Sequence, residues 1–267
     1  MIELKSVSGS FGKGAVTNVS LRLPNGKTYG VFSPCYEDAV ALCTLMGGAR
    51  TPLGGTVLVG GFDMHREAKK ARRGIGFLPS DLLPDDELTP LEYLMAVAEA
   101  RELPYEKTLR HVHELLELAD LSDKKERLIA HLSHGEKRIL CLLQVVLGKP
   151  EILILTSPLS GVLPKDALRI CELIKYFGTT YTIFLCTPSL NDLRKMCDEI
   201  IVLQGGSLGK IVSSYDETLT AELTETAAEP VFDKESPKKH KSLRWSMLTA
   251  KSGDYEVLED DGKEDDD

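Results

Sequence analysis

Short apolar runs separated by turn residues are the clearest pattern in this chain. Residues 152–155, ILIL, form an unbroken apolar run that predicts a strand buried on both faces of a parallel sheet. Helical patterns alternate with most such runs after residue 30, which predicts a mixed sheet with parallel core strands. Strands are expected near residues 2–8, 16–23, 28–32, 56–59, 74–78, 152–155, 181–185 and 199–203.

Between about residues 89 and 148 the apolar spacing becomes helical, which predicts a helical subdomain. The last helix of this block begins in the segment LSHGE, residues 132–136. Ser133 and Glu136 have the spacing of a capping box, in which each side chain accepts a backbone N–H at the start of the helix. An exposed serine followed by Gly135 at a helix start also suits an anion.

Residues 29–48 predict a strand, a tight loop and a helix, the order that forms a phosphate-binding loop. Such a loop needs glycines, a lysine for the terminal phosphates and a hydroxyl for Mg²⁺. Here residues 33–40 read SPCYEDAV, and residues 29–48 contain no lysine or arginine. Glu37 and Asp38 stand at the start of the helix, where a carboxylate can occupy the donors that a phosphate would take. We therefore expect this helix to cap itself.

The apolar strand at residues 152–155 is followed by uncharged residues. A phosphate-hydrolysing site on such a strand needs one carboxylate to hold Mg²⁺ and another to polarise the attacking water. Thr156 and Ser157 occupy these positions. The sequence thus indicates the frame of a nucleotide site without the groups that phosphoryl transfer requires.

From residue 1 to about residue 212, the succession of segments resembles the nucleotide-binding domain of ATP-binding cassette (ABC) transporters. LSHGE resembles the family signature LSGGQ, and SGVLP at residues 160–164 resembles the SGLDP turn. SPCYEDAVA at residues 33–41 stands where Walker A reads close to GPNGAGKST, and TSP at residues 156–158 stands where Walker B ends Asp-Glu-Pro. The resemblance implies a P-loop NTPase-like α/β fold with a mainly parallel mixed sheet, an antiparallel β part and a helical subdomain.

The resemblance also implies that every expected catalytic position is occupied by a residue unable to perform the chemistry. Phosphoryl transfer depends on placed charge and metal, so the chain's own Mg·ATP site is expected to be lost, with no catalytic residue and no metal ligand. Phe11 could still stack on adenine. The replaced positions are Ala39 for the Walker A lysine, Val40 for the Mg²⁺ hydroxyl, Thr156 and Ser157 for the Walker B carboxylates, Ser80 for the loop glutamine, Pro188 for the switch histidine and Leu163 for the aspartate of the SGLDP turn.

Cassettes of this family pair head to tail, so that each nucleotide lies between the Walker A of one subunit and the signature of the other. The resemblance therefore implies that Ser133 and Gly135 complete an ATP site in a partner. The implied partners are a membrane permease and a second, competent cassette, or a second copy of this chain. Two alternatives remain open at this stage: a scaffold protein that binds no nucleotide, and a cassette that still binds ATP, with or without hydrolysing it.

Composition separates a balanced body from an acidic end. The chain has 267 residues and a net charge of −9, and the segment from Tyr215 onward contains sixteen acidic and seven basic residues. Its composition is typical of a disordered tail (residues 215–267), although residues 236–245 form a basic patch suited to anionic lipid or a protein partner. The body (residues 1–214), with no net charge, is not expected to bind nucleic acid.

The cysteines and the apolar runs together favour a cytoplasmic protein that does not cross a membrane by itself, and the resemblance implies a place at the cytoplasmic face of the membrane. The six cysteines are scattered, with no CxxC pair and no histidine at metal-ligand spacing, which is typical of free thiols in a reducing compartment. Cys43, Cys141 and Cys186 lie in apolar runs and are expected in the core. No apolar run approaches the roughly 20 residues of a membrane-spanning helix, and residues 1–9 show no signal-peptide pattern.

Overall fold

The computed structural model describes residues 1–216. The basic patch at residues 236–245, and all but the first two residues of the acidic segment, lie outside the described residues. Within residues 1–216 the chain forms two sheets and seven α-helices, with two short 3₁₀ turns at Ser122–Lys124 and Ile129–His131. The strands are β1 (Ile2–Phe11), β2 (Gly14–Leu23), β3 (Thr28–Phe32), β4 (Gly54–Val59), β5 (Phe62–Asp63), β6 (Ile75–Leu78), β7 (Ile152–Thr156), β8 (Thr182–Cys186), β9 (Glu199–Gln204) and β10 (Ser207–Ser213).

The larger sheet has six strands in the order β10-β9-β3-β8-β7-β6. Strands β9, β3, β8, β7 and β6 are parallel, and β10 pairs antiparallel with β9 at one edge. All five residues of β7 and of β8 are buried, as expected for parallel strands that are covered on both faces. The carboxyl ends of the parallel strands therefore meet at one edge of the sheet.

The smaller sheet is antiparallel, with the order β2-β1-β4-β5. Its strands alternate between buried and exposed positions because only one face packs on the core. This sheet and the helix α1 (Tyr36–Met46) cover one face of the parallel sheet, where Ile152 and Ile154 of β7 point. Leu153 and Leu155 point to the opposite face, which the helical block covers. Because successive side chains of β7 point to opposite faces of the sheet, its apolar run contributes residues to two separate cores.

The helices follow the expected alternation with the strands. Between residues 89 and 148 the chain forms three α-helices and the two 3₁₀ turns, as the apolar spacing predicts, and the helices α3 (Pro90–Ala100), α4 (Tyr105–Leu118) and α5 (His134–Val146) pack around a common apolar core. Within that core the Tyr93 hydroxyl donates to Gln144 Oε1 at 2.7 Å. The helices are α1 (Tyr36–Met46), α2 (Ala68–Arg73), α3 (Pro90–Ala100), α4 (Tyr105–Leu118), α5 (His134–Val146), α6 (Pro164–Gly178) and α7 (Leu190–Met196).

The sequence-based assignment of the main elements is confirmed, with small differences at their ends. All eight predicted strands form, and the mixed parallel sheet, the antiparallel part and the helical block are present. The expected burial of Cys43, Cys141 and Cys186 is also confirmed. The assignment missed β5, β10 and the short helix α2. Within residues 1–216, no helix combines the length and the apolar character needed to cross a membrane.

Candidate functional site

The loops that follow β3, β6, β7 and β8 lie at the carboxyl edge of the parallel sheet. Open α/β sheets bind their ligands at this edge, so it is the first place to examine for a site. The sequence places Ala39, Ser80, Thr156, Ser157 and Pro188 in or next to these loops. Hydrogen bonds join some of these segments directly, and side chains that the sequence did not single out carry those bonds.

The loop after β3 leads into α1, and no side chain caps the start of that helix. Asp38 is buried, and its Oδ1 accepts the backbone N–H of Ala15 in β2 at 2.9 Å. The Glu37 carboxylate lies 3.5 Å from the thiol of Cys35. The prediction that these two carboxylates cap their own helix is therefore wrong, because a partner 23 residues away in sequence draws Asp38 towards the antiparallel sheet.

The turn between β1 and β2 lies directly against the first turn of α1. A Cβ added to Gly14 would stand 1.9 Å from the carbonyl oxygen of Glu37, so only glycine permits this approach. Phe11, the candidate for adenine stacking, ends β1 beside this turn and is 38% exposed. The guanidinium carbon of Arg50 lies 5.6 Å from the centre of its ring, a cation–π distance. One face of Phe11 therefore already has a partner.

Tyr36, the first residue of α1, reaches across the edge of the sheet to the loop after β7. Its phenol hydroxyl forms a hydrogen bond with the hydroxyl of Ser157. Burial raises the pKa of the Tyr36 phenol, so the group is neutral at physiological pH and can donate. The aromatic side chain thus joins the loop that resembles Walker A to the end of the strand that resembles Walker B.

Ser157 has a left-handed backbone, with φ of 45°, which is uncommon for a residue other than glycine. Its N–H donates to the carbonyl of Cys186 at 2.8 Å, and its carbonyl accepts Nη2 of Arg138 at 3.0 Å. Arg138 lies on α5 and is 2% exposed. Its Nη1 donates to the carbonyl oxygens of Ser80 at 3.2 Å and Leu82 at 3.0 Å.

Arg138 is therefore a buried cation that donates to three backbone carbonyls. Burial lowers the pKa of its guanidinium, although arginine stays charged at any ordinary pH. Three carbonyl oxygens from two separate loops replace part of its hydration, as a buried charge requires. Ser80 is brought into the site through its backbone by this contact, while its side chain is exposed.

The remaining expected positions stay apart from this network. Ala39 is fully buried in the core beneath the antiparallel sheet, and Pro188 is exposed. Thr156 is 1% exposed, and its hydroxyl oxygen has no hydrogen-bond partner within the described residues. Among residues 1–216, no group of three or more His, Cys, Asp and Glu side chains is arranged to hold a metal ion.

The start of α5 contains the predicted capping box. Ser133 Oγ accepts the N–H of Glu136 at 3.1 Å, and Glu136 Oε2 accepts the N–H of Ser133 at 2.9 Å. Ser133 is exposed, but Gly135 is buried against Asp166 of α6, whose Oδ2 would lie 2.1 Å from a Cβ added to Gly135. The carboxylate of Asp166 thus covers part of the start of α5, where the sequence predicts that an anion could bind.

Comparison with known proteins finds similarity to ATP-binding proteins of ABC transporters. A protein-family model described as ABC transporter matches residues 16–160. The Nod factor export ATP-binding protein I of Rhizobium etli is 28% identical over 229 residues, which cover 84% of this chain and 72% of that protein. The methionine import ATP-binding protein MetN 1 of Salmonella paratyphi A is 30% identical over 219 residues, which cover 78% of this chain and 64% of that protein.

Solved structures share the fold. One described as the ATP-binding subunit of an ABC transporter has a TM-score of 0.71 and 20% identity, with 84% of this chain and 99% of that chain covered. A dimer of the ATP-binding cassette MJ0796, bound to ADP and Pi, has a TM-score of 0.68 and 21% identity, with 81% of this chain and all of that chain covered.

Proposed function

The chain belongs to the ABC transporter family, and we propose that it is an ATP-binding-type subunit of such a transporter that neither holds nor hydrolyses Mg·ATP at its own site. It is thus a pseudo-ATPase in this proposal. The observation that carries the proposal is the hydrogen bond between Tyr36 and Ser157. It spans the two loops between which the family resemblance would place the phosphates.

The chemistry of the surrounding groups also does not fit Mg·ATP. The loop offers Asp38, already bound to a backbone N–H, where an anion needs donors. Thr156 and Ser157 cannot replace the carboxylates that hold Mg²⁺ and orient water. Removal of one preorganised group typically costs about 10²–10³ in rate, so replacement of the whole set leaves no basis for hydrolysis here.

We propose that the chain works beside a membrane permease, with a second, competent cassette or a second copy of itself. It would then lie at the cytoplasmic face of the membrane. The relatives named for export and import, and the dimeric cassette structure, support a subunit role. Ser133, exposed at the start of α5, supports a signature that acts on a partner's ATP. For Gly135 to take part, the carboxylate of Asp166 must turn away, because it would repel a phosphate.

The contact between Asp166 and Gly135 also favours a second candidate, an interaction protein on the same fold that needs no nucleotide in cis or in trans. Both candidates leave the chain's own site without ATP. They differ in whether a partner's ATPase activity depends on Asp166. In a reconstituted complex, Asp166→Asn is expected to raise that activity if the signature acts in trans, and to leave it unchanged if it does not.

We expect isothermal titration of the full chain with Mg·ATP to give no saturable heat, and thermal unfolding to show no shift with Mg·ATP. Protein concentrations should be high enough to detect a millimolar dissociation constant, about −4 kcal/mol of binding free energy. A competent cassette titrated under the same conditions shows that the assay can detect binding. Saturable heat together with a raised Tm in this chain would contradict the proposal, because ligand binding to the folded state must stabilise it.

A further inference from the structure

The N–H, the carbonyl and the hydroxyl of Ser157 bind three different elements of the fold, and the carbonyl also accepts the N–H of Ser160 at 3.1 Å within the same turn. The N–H binds the end of β8 through Cys186, the carbonyl binds Arg138 of α5, and the hydroxyl binds Tyr36 of α1. A left-handed conformation at a residue other than glycine persists only where its surroundings hold it in place. These three bonds are the contacts that hold it.

Arg138 continues the connection to the loop between β6 and α3. Its two bonds to the carbonyls of Ser80 and Leu82 fix the first part of that loop to α5, and its third bond fixes α5 to Ser157. The guanidinium is planar and presents its donors in a rigid fork, so movement of one carbonyl disturbs the others. Arg138 is 2% exposed, so water has little access to its donors and the loss of an acceptor is costly.

We propose that hydrogen bonds between Tyr36 and Ser157, and between Ser157 and Arg138, form a link that holds the loop at residues 79–84 in one position. The link acts whether or not a nucleotide is present. The proposed function concerns only the absence of ATP at this site. The link adds that the side chains at this edge fix the position of a loop. The hydroxyl of Tyr36 is a positioning group in the link, although it lies on a different element from the loop that it positions.

Proteolytic cleavage after Leu82 can report whether this loop is open. Its side chain is buried and its carbonyl is bound to Arg138, whereas the next residue, Leu83, is 53% exposed. Chymotrypsin can therefore cut after Leu82 only when the loop leaves Arg138. When opening is fast compared with cleavage, the rate of this cut follows the population of the open loop.

Tyr36→Phe in the full chain is expected to speed cleavage after Leu82 by roughly fivefold, the effect of a hydrogen bond worth about 1 kcal/mol. Mass spectrometry of the fragments identifies this cut among others. Ser157→Ala removes the same bond, so it should give the same increase, and the double variant should add nothing further. The matched control is Tyr29→Phe, which removes a tyrosine hydroxyl bonded to the carbonyl of Pro24 at 3.0 Å, in the core that does not contain Leu82, and it should leave the rate unchanged.

Equal acceleration in Tyr36→Phe and Tyr29→Phe would overturn the link, because the cut would then report general loss of stability. No acceleration in Tyr36→Phe would overturn it as well. The same digestion with excess Mg·ATP separates this inference from the proposed function. If ATP slowed the cut in the unaltered chain, the absence of a nucleotide site would be contradicted, while the comparison of variants would still decide the link.

Discussion

Replacement of Arg138 by methionine is expected to lower the free energy of unfolding by at least about 3 kcal/mol. Methionine fills a similar volume but donates no hydrogen bond, so the carbonyls of Ser80, Leu82 and Ser157 each lose the bond from a charged donor. Ser157 keeps the N–H of Ser160 at 3.1 Å and Leu82 keeps the thiol of Cys141 at 3.6 Å, so the loss comes from the bonds to the guanidinium. A hydrogen bond to a charged group typically contributes about 1.5–3 kcal/mol. Relief from burying a charge offsets part of this loss. Urea unfolding followed by circular dichroism measures the change.

Arg101→Met is the matched control for this substitution. The Arg101 guanidinium donates to the carbonyl of Leu147 at 2.8 Å, and burial lowers its pKa as it does for Arg138. Relief from burying a charge is therefore present in both variants, and the difference between them reports the two additional carbonyls of Arg138. We expect a loss of about 1–3 kcal/mol for Arg101→Met. If the two variants lose equal stability, Arg138 does not hold the two loops together.

Local patterns in the sequence were enough to predict most of the fold. The apolar run at residues 152–155 requires a strand covered on both faces, and the spacing of Ser133 and Glu136 requires a capped helix, because both depend on neighbouring residues alone. Strand β10 was missed because its residues alternate between exposed and half-buried positions at the edge of the sheet. The two glycines before it, Gly205 and Gly206, were the available hairpin signal.

The candidate site was harder to predict because its contacts join residues that are distant in sequence. Tyr36 finds its partner 121 residues away, and Arg138 binds residues on both sides of it at separations of 58, 56 and 19. The sequence predicted which functional groups are absent at this edge but not which side chains bind one another there. For the same reason Asp38 was assigned to its own helix, when the donor it binds lies on β2.

These contacts hold the loops at the carboxyl edge of the parallel sheet without any bound ligand. In this chain the loop after β3 is held by Asp38 and Tyr36, and the loop after β7 is held by Ser157. Each of these bonds lies within the chain. The conformational entropy that the loops lose is therefore lost when the chain folds and not when a ligand binds. A subunit that keeps its shape in this way can present its surface to a partner continuously.

Thr156→Asp, which restores a carboxylate at the end of β7, is expected to lower the free energy of unfolding by about 3 kcal/mol at pH 8. The threonine is 1% exposed, and its hydroxyl finds no partner within the described residues, so no donor stands ready for a charged group. Burial without a cation raises the folded-state pKa of the new carboxyl above its unfolded value of about 3.9. The loss should therefore be small near pH 4, should grow as the pH rises from the unfolded to the folded-state pKa, and should be complete above the folded-state pKa.

Two variants of similar size separate charge from shape at this position. Thr156→Asn carries no charge, so its stability relative to the unaltered chain should not depend on pH, and the difference between Asp and Asn isolates the carboxylate. Thr156→Val removes a buried hydroxyl that has no partner, and it should be neutral or stabilising by up to about 1 kcal/mol. If Thr156→Asp were as stable as Thr156→Asn at pH 8, or if Mg·ATP restored its stability, the end of β7 would still be able to serve as a metal site. A loss that grows with pH and does not respond to Mg·ATP would mean that this edge has been repacked around neutral groups, so that restoring one carboxylate cannot restore the chemistry.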